Sequence, residues 1–228
     1  MLGAAVGDAL LVAGYRVTLV GRATPLTQVS MQTQADPSTY PIGSTSEPTY
    51  LGGLDLSDPP QAVEAVKRAM NAMGAIHVLV NAAGAFKMAL TSIDSLDLWD
   101  ELYQANLKTC LNSCAAALPH LSPGARIINI GAASADHASA STGAYTAAKS
   151  SVARLTESLA EQLRSRHITV NALLPSIIDT PENRRWMPSA DYSVTAVQPE
   201  SIAEVILFLA STASRAITGA LIPVTNAL

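Results

Sequence analysis

Residues 143–163 read GAYTAAKSSVARLTESLAEQL, which predicts a long helix that begins with two chemically unusual side chains. Tyr145 and Lys149 are four residues apart, so they lie on the same face of that helix. An ammonium group beside a phenol favours the phenolate, so we expect Lys149 to lower the pKa of Tyr145 and suit it to proton transfer. A tyrosine four residues before a lysine is also common on ordinary surface helices, so the rest of the chain must decide between the two interpretations.

Helical and strand-like patterns alternate along the chain, which predicts an α/β fold built around a parallel sheet. Short apolar runs bounded by turn residues predict buried strands at 16–20, 77–84, 126–134, 168–175 and 220–225. Apolar residues at spacings of three and four predict helices at 59–73, 95–121, 144–166 and 199–212. We expect one domain over residues 1–228, with an irregular loop or insert at the proline-interrupted segment 23–50.

Composition excludes several classes of function. The formal net charge of -4, with no cluster of basic residues, gives no footprint for nucleic acid. No apolar run has the length of a membrane span and the first residues lack the features of a signal peptide, so we predict a cytoplasmic protein without a membrane partner. Cys110 and Cys114 suit helix packing better than a disulfide or a metal site, and no metal is expected.

Three further features accompany the tyrosine and the lysine. Asn81-Ala82-Ala83-Gly84 follows a predicted strand, Asn106 lies in the middle of a predicted helix, and NALLPSIIDTP at 171–181 follows a later strand. In this combination and order, the chain resembles the short-chain dehydrogenase/reductase family over its whole length. The resemblance implies a doubly wound, Rossmann-like parallel sheet in three α/β/α layers. It also implies hydride transfer between NAD(P)(H) and a small carbonyl or imine-like substrate.

The resemblance implies catalytic roles for three residues. Tyr145 matches the proton donor or acceptor, and Lys149 matches the residue that lowers its pKa and bonds the nicotinamide ribose. Asn106 matches the residue that helps to hold a proton-relay water. Asn106 could instead satisfy buried backbone groups, and the same alternative applies to Asn81.

The resemblance also implies a set of cofactor contacts. Residues 81–84 match the motif that lines the cofactor and braces the central sheet, and Asp55 matches the acid near the adenine. Asp55 could instead be a signal for the start of the following helix, a role for which Ser57 and Asp58 compete. Thr180 matches the threonine that holds the nicotinamide carboxamide. The full predicted set is Gly3, Arg22, Asp55, Leu56, Asn81, Ala82, Ala83, Gly84, Tyr145, Lys149, Pro175, Ile178 and Thr180.

The end of the second family strand indicates which nicotinamide cofactor is used. An acid there binds the ribose 2′-hydroxyl, whereas a basic group accommodates a 2′-phosphate. Gly21 holds the acidic position and Arg22 follows it, so we predict a preference for NADP(H) over NAD(H). A solvated arginine at a strand end is the alternative.

The substrate side departs from the family pattern. Most members have a serine thirteen residues before the tyrosine, where Ala132 stands here, and strand alternation directs Ser134 the same way about 6.6 Å further along. Residues 174–193 are similar to dihydropteridine reductases, whose quinonoid substrate needs little polarisation. The same stretch is similar to uncharacterised bacterial-type reductases, so it indicates a branch of the family and not a substrate. We expect 176–199 to form a substrate lid or a packed surface excursion, with a substrate site of Ala132, Ser134, Trp186 and Met187.

The first residues match only the end of the family's phosphate loop. Gly3 matches the third glycine of its TGxxxGxG motif, the one that allows close helix packing, and Gly7 is then only a small helical residue. We therefore expect the first strand to be absent, with strands 16–20 and 77–84 each left with an unpaired edge, and the sequence to start about 12 to 15 residues late. A truncated or non-catalytic member is the alternative function. Family members associate through helices that match 95–121 and 144–166, so we expect a homodimer or homotetramer.

Overall fold

A computed structural model describes residues 2–23, 47–188 and 190–225. The strands are β1 (Thr18–Val20), β2 (Thr49–Leu51), β3 (Ile76–Asn81), β4 (Leu121–Ile130), β5 (Thr169–Pro175), β6 (Ile177–Ile178), β7 (Ala196–Val197) and β8 (Leu221–Val224). The helices are α1 (Leu2–Val12), α2 (Pro59–Met73), α3 (Leu96–Leu102), α4 (Thr109–Ala117), α5 (Gly143–Gln162), α6 (Pro181–Trp186), α7 (Tyr192–Thr195) and α8 (Pro199–Ala210).

The central sheet is parallel and has the order β3-β4-β5-β8. Its register places Asn81 beside Asn129 and Asn129 beside Ala172, so the carboxyl ends of β3, β4 and β5 meet at one edge. Every residue of β5 is buried, as are the last six residues of β4, because helices cover both faces of these inner strands.

Three layers follow from the alternation of side chains along β4. Ile127 belongs to an apolar cluster with Cys110 of α4 and Val152 of α5. Ile128 and Ile130 belong to a second cluster, which includes residues of α1 and α8. Helices α4 and α5 therefore cover one face and α1 and α8 the other, which confirms the expected α/β architecture with a Rossmann-like parallel sheet.

β1 and β2 form a separate parallel pair, packed against α2 through Leu51, Leu54, Ala65 and Ala69. Within the described residues, β1 pairs only with β2 and β3 pairs only with β4. Each of these two strands thus has an edge without a strand partner, as the sequence led us to expect. α1 touches both parts, since its apolar residues share a cluster with Val78 and Val80 while its Gly7 lies against Leu19.

Several predicted boundaries were wrong. The predicted strand 126–134 begins earlier, at Leu121, and stops at Ile130. The predicted helix 95–121 is broken by a π-helical turn, Tyr103–Lys108. The segment predicted as irregular, 23–50, contains the start of β2; the rest of it from 24 to 46 lies outside the described residues.

The excursion 176–199 is also more ordered than a loop. It contains α6 and α7, and its ends are joined by the short parallel pair β6-β7. The pairing of Ile178 with Val197 closes the excursion at its base, so the segment is a folded flap on the carboxyl edge of the sheet.

Candidate active site

Lys149, Asn106 and Gly84 meet at the carboxyl edge of the central sheet. The Lys149 side chain is buried, and its Nζ donates a 2.9 Å hydrogen bond to the carbonyl oxygen of Ile130 at the end of β4. A side-chain carbon at Gly84 would lie 3.3 Å from Lys149 Nζ and 2.7 Å from Asn106 Oδ1. Only glycine leaves room for this approach, so the three residues that the sequence singled out form one site.

The π-helical turn presents Asn106 to the loop that follows β3. Its Oδ1 accepts a hydrogen bond from the Ala85 N–H at 3.2 Å, and its Nδ2 donates to the carbonyls of Ala85 and Leu102, both at 3.0 Å. Asn106 therefore satisfies backbone groups, which was the alternative interpretation of this residue. Its Oδ1 has a second lone pair, so a role in holding water stays a prediction.

Tyr145 lies at the start of α5, where its ring meets Phe86 edge to face with centroids 4.9 Å apart. Burial raises the pKa of Tyr145 to about 12, so the predicted lowering by Lys149 was wrong for this state of the protein. The physical reason is that the Lys149 Nζ is directed to the Ile130 carbonyl while desolvation penalises the phenolate. Burial also lowers the pKa of Lys149 to about 8.

A cavity of about 220 Å³ opens beside this cluster. Its walls come from the end of β1, the turn after β2, the loop after β3 and the helix that carries Asn106. It brings together five residues of the predicted cofactor set: Arg22, Asp55, Leu56, Ala83 and Gly84. An arginine and a carboxylate that line a cavity at the carboxyl edge of the sheet are groups that fit a dinucleotide.

The Asp55 carboxylate closes the turn that forms one wall of the cavity. Its Oδ1 accepts hydrogen bonds from the N–H of Ser57 at 2.9 Å and from the Ser57 hydroxyl at 2.7 Å. These bonds, with a smaller contribution from Arg22, lower the pKa of Asp55. The N-cap of α2 is Asp58, although its side chain makes no capping bond. Asp55 is therefore not the helix cap.

The sequence missed Asn112 as part of this wall. Its Nδ2 donates to the carbonyls of Leu56 and Ser57, at 3.1 and 2.8 Å, and so ties the turn to α4. An asparagine inside a predicted helix gave only a weak signal, because its partner lies 55 residues away in the chain.

On the substrate side, Ala132 is buried in extended backbone and Ser134 is exposed. The prediction that Ser134 follows strand alternation was wrong, because β4 ends at Ile130 and residues Ala133–Ala135 form a 3₁₀ turn. A side chain in such a turn does not continue the strand's two-residue period. Ser134 thus does not replace the serine that Ala132 lacks.

The flap is held by Asp179, which follows β6. Arg184 donates to both Asp179 carboxylate oxygens, at 2.6 and 2.8 Å, and its guanidinium lies 4.5 Å from the centre of the Tyr192 ring. Gln198 adds a 3.1 Å bond to the same carboxylate. Asp179 therefore joins the two helices of the flap to its base.

Thr180 caps α6, since its Oγ1 accepts a hydrogen bond from the Asn183 N–H at 3.1 Å. The other predicted flap residues are Trp186, which is 43% exposed, and Met187, which is partly buried. Of the remaining cofactor residues, Pro175 ends β5 and Ile178 lies in β6. The roles of these residues stay predictions.

Trp99 packs against the start of α5. A side-chain carbon at Gly143 would lie 3.4 Å from its ring, so the indole packs on the first residue of α5. Cys110 and Cys114 are both buried and free, as expected for packing.

Gly3 and Gly7 of α1 differ in packing in the opposite way to that predicted. A side-chain carbon at Gly3 would meet nothing within 4 Å among the described atoms, whereas one at Gly7 would lie 3.1 Å from the Leu19 side chain. The expectation that Gly3 permits close helix packing was therefore wrong, and Gly7 makes the close contact between α1 and β1.

Residues 2–23, 47–188 and 190–225 contain neither a cluster of metal ligands nor a membrane-spanning helix. No group of three or more His, Cys, Asp or Glu residues there is arranged to hold a metal ion. Over the same ranges, none of the helices combines the length and the apolar character that crossing a bilayer requires.

A parallel α/β sheet with a cavity and a tyrosine–lysine helix at its carboxyl edge defines a nucleotide-dependent oxidoreductase fold. A family model described as enoyl-(acyl carrier protein) reductase matches residues 2–226. The chain belongs to the short-chain dehydrogenase/reductase family, and the prediction of an NAD(P)-dependent enzyme of this family is confirmed at that level.

Two curated relatives show what the chain is similar to. A 3-oxoacyl-[acyl-carrier-protein] reductase of Thermotoga maritima is 30% identical over 184 residues, which are 77% of this chain and 75% of the relative. A 3-alpha-(or 20-beta)-hydroxysteroid dehydrogenase of Mycobacterium bovis is 31% identical over 172 residues, 73% of this chain and 66% of the relative.

Solved structures agree over a larger share of the chain. A blue fluorescent protein from a metagenomic library, in complex with NADPH, has a TM-score of 0.82 and 28% identity, covering 98% of this chain and 91% of its own. A variant of a Serratia marcescens short-chain dehydrogenase/reductase has the same TM-score and coverage at 26% identity. A Burkholderia cenocepacia short chain dehydrogenase in complex with NADP has a TM-score of 0.81 at 25% identity.

Proposed function

We propose that this protein uses NADPH to reduce a small carbonyl or imine-like compound, with Tyr145 as the proton donor. The observation that carries the proposal is the meeting of Lys149, Asn106 and Gly84 at the sheet edge, where a glycine is required by contact with both neighbours. When bound, the nicotinamide supplies the hydride.

Tyr145 supplies the proton in the proposed reduction. With a pKa raised to about 12, its hydroxyl keeps its proton at neutral pH. A neutral phenol can give a proton to the oxygen or nitrogen that hydride addition makes basic.

Lys149 has donors left for the ribose that it is proposed to hold. The Ile130 carbonyl takes one N–H of the ammonium group, which carries three. Thr180 is similar, because its oxygen accepts from the Asn183 N–H while its own O–H is left to donate to a carboxamide. Residues 81–84, with Gly3, Pro175 and Ile178, complete the proposed contacts.

Arg22 supports the proposed preference for NADP(H). It is exposed and lines the cavity at the end of β1, next to Gly21, and a guanidinium can make paired hydrogen bonds with a phosphate. An acid at position 21 would instead have favoured the free hydroxyl of NAD(H).

Ala132 supports a substrate that needs little polarisation. Ala132 offers no hydroxyl, and Ser134 is exposed on a 3₁₀ turn that does not continue the strand. Loss of one such donor to a developing oxyanion costs about 3 to 4 kcal/mol of barrier. A quinonoid dihydropteridine or another imine-like compound is already a strong hydride acceptor, so it tolerates this loss better than a simple ketone.

A family member without catalysis is the second candidate. Ala132 in place of a serine and the unpaired edges of β1 and β3 among the described residues favour it. The two candidates differ in whether cofactor and substrate are processed.

The decisive test titrates the purified protein with NADPH and NADH and follows nicotinamide fluorescence. We expect tighter binding of NADPH, then faster oxidation of NADPH with quinonoid dihydropteridine than with ketones or 3-oxoacyl thioesters. A folded protein that binds neither nucleotide at millimolar concentration would be the non-catalytic member. Faster turnover of ketones would overturn the substrate class alone.

We also propose a cytoplasmic homodimer or homotetramer that associates through 95–121 and 144–166. The first of these segments includes the exposed apolar side chains Leu96 and Tyr103, which suit burial between copies. Light scattering on the purified protein should give two or four times the chain mass. A monomer at micromolar concentration would contradict this assembly.

A further inference from the structure

Asn129 is a buried amide that the predicted mechanism does not use. It lies in β4 with 0% of its surface exposed, and its side chain faces α4 and α5. A primary amide in an apolar core is costly unless its polar atoms are hydrogen-bonded. The next residue, Ile130, provides the carbonyl that holds Lys149 Nζ.

The Asn129 side chain is hydrogen-bonded to one residue of α5, Thr156. Its Nδ2 donates a 2.9 Å hydrogen bond to Thr156 Oγ1, and Thr156 is fully buried. Thr156 follows Lys149 by seven residues, about two helical turns, so both lie on the same face of α5. The bond therefore fixes how far α5 can slide along β4, and with it the position of Lys149.

The same side chain bonds to the two other elements of the site. Its Oδ1 accepts from Asn81 Nδ2 at 2.9 Å and from Cys110 Sγ at 3.3 Å. Asn81 leads directly into the loop that holds Gly84, and Cys110 follows Asn106 by about one turn. Each of these bonds of Asn129 thus ends on an element that carries or directly adjoins one member of the Lys149, Asn106 and Gly84 cluster.

We propose that Asn129 is the positioning residue of this active site, because its side-chain bonds to Thr156, Asn81 and Cys110 set the relative places of the elements that carry or directly adjoin Lys149, Gly84 and Asn106. The proposal rests on the proposed function, since the effect of Asn129 on the site is measured as a change in turnover. Asn129 touches neither cofactor nor substrate. It acts through α5, α4 and the loop after β3.

Asn171 provides a matched control within the same sheet. It lies in β5 and is 1% exposed. Its Nδ2 donates to the Ile217 carbonyl at 2.9 Å and its Oδ1 accepts from the Ala220 N–H at 3.0 Å. It is therefore as buried and as well bonded as Asn129, but its bonds end on the segment before β8.

The first experiment compares Asn129→Ala with Asn171→Ala at a temperature where both variants are folded. We expect both to lower the free energy of unfolding, because each leaves buried partners unpaired. Only Asn129→Ala should lower kcat, by roughly 10- to 100-fold with KM unchanged, because small displacements of reacting groups cost rate rather than substrate binding. Equal kcat values for the two variants at equal stability would overturn the positioning role.

Thr156 keeps the test falsifiable if Asn129→Ala does not fold. Thr156→Val removes the bond between Asn129 and α5 with little change of volume, whereas Thr156→Ser keeps the hydroxyl. We expect the valine variant to lower kcat and the serine variant to recover most of it. A serine variant as impaired as the valine variant would show that packing, not the hydrogen bond, matters.

Hydrogen exchange separates this proposal from the proposed function, since it needs no turnover. In Asn129→Ala, amides of 143–150 and 103–108 should exchange faster than in the wild type, and in Asn171→Ala they should not. A wild-type protein that neither binds NADPH nor turns over would overturn the proposed function while this comparison still decides the role of Asn129. Unchanged exchange in both segments would overturn the role of Asn129.

Discussion

The four-stranded sheet β3-β4-β5-β8 and the strand pair β1-β2 lie at opposite ends of the site. They differ in how many neighbouring strands and helices hold them in place. β4 and β5 are covered on both faces and paired on both edges, and the buried amides beside them are hydrogen-bonded. β1 and β2 are short, partly exposed and paired only with each other within the described residues. The tyrosine–lysine end is therefore preorganised, whereas the Arg22 end depends more on what binds to it.

Among the described residues, buried polar atoms without a hydrogen-bond partner occur near β1 and also at the other end, at Thr146 Oγ1 of α5 and Arg126 Nε of β4. Thr18 Oγ1 and Asp8 Oδ1 are buried without a hydrogen-bond partner among the described residues, and burial raises the pKa of Asp8. Such groups are costly to leave unsatisfied. The difference between the two ends therefore lies in strand pairing and exposure, from which we infer that binding at the Arg22 end changes the structure more than binding at the Tyr145 end.

The largest effect expected at the preorganised end comes from Tyr145→Phe. The change removes the proposed proton donor and keeps the ring against Phe86, so NADPH oxidation should fall by roughly 10²- to 10⁴-fold while NADPH affinity stays close to wild type. Tyr103→Phe, at an exposed tyrosine of the π-helical turn, is the control and should retain activity. Undiminished turnover in Tyr145→Phe would remove this residue from the mechanism.

Arg22→Ala tests the other end of the site. Loss of paired hydrogen bonds to a 2′-phosphate should weaken NADPH binding by roughly 10- to 100-fold and leave NADH binding nearly unchanged. Fluorescence titration of both nucleotides measures this, with Arg68→Ala on the exposed face of α2 as the control. Equal weakening of NADPH and NADH would show that Arg22 does not read the phosphate.

Lys149→Met should stabilise the protein while it abolishes the site. Burial lowers the pKa of Lys149 to about 8 from 10.5, so the unfolded chain binds this proton more tightly than the folded chain. The resulting penalty is complete below pH 8 and disappears as the pH rises towards 10.5. The substitution also loses the hydrogen bond to Ile130. With that loss included, we expect Lys149→Met to raise the free energy of unfolding by about 1 to 2 kcal/mol at pH 7.

Urea unfolding at pH 7 and pH 9.5 measures that gain, which should shrink at the higher pH. Lys67→Met changes an exposed lysine of α2 and should show no such pH dependence. If Lys149→Met destabilises the protein equally at both pH values, the buried ammonium is not a source of strain.

The smallest effect concerns the contact between α1 and β1. Gly3→Ala places a methyl group in open space and should stabilise α1 by about 0.5 to 1 kcal/mol. Gly7→Ala must displace the Leu19 side chain, which lies 3.1 Å from the new carbon, so its gain should be smaller or negative. Thermal unfolding of both variants decides, and an equal gain would mean that Leu19 yields without cost.

The contrast between the two regions also explains what the sequence could predict. The alternating patterns were sufficient for the parallel sheet and its main helices, and α2 runs from Pro59 to Met73 as expected. Local spacing also placed Tyr145 and Lys149 on one helix face. These features depend on neighbours within a turn or two, which the sequence displays directly.

Features that depend on distant contacts were missed. The raised pKa of Tyr145 comes from burial in the folded protein. The Lys149 side chain is oriented by its hydrogen bond to the carbonyl of Ile130, nineteen residues earlier in the chain. Ser134 was misplaced because nothing local indicates that β4 ends at Ile130. Asn129 was missed because its partners come from three separate elements.

The central claim is that NADPH binds between Arg22 and Tyr145 across the carboxyl edges of both sheets. Hydrogen exchange with and without saturating NADPH tests it most directly. We expect slower exchange at 18–23, 53–58 and 82–85, with 121–130 and 169–175 already protected and unchanged. Bound NADPH that leaves 18–23, 53–58 and 82–85 unaltered, or protects only segments outside this edge, would contradict the account.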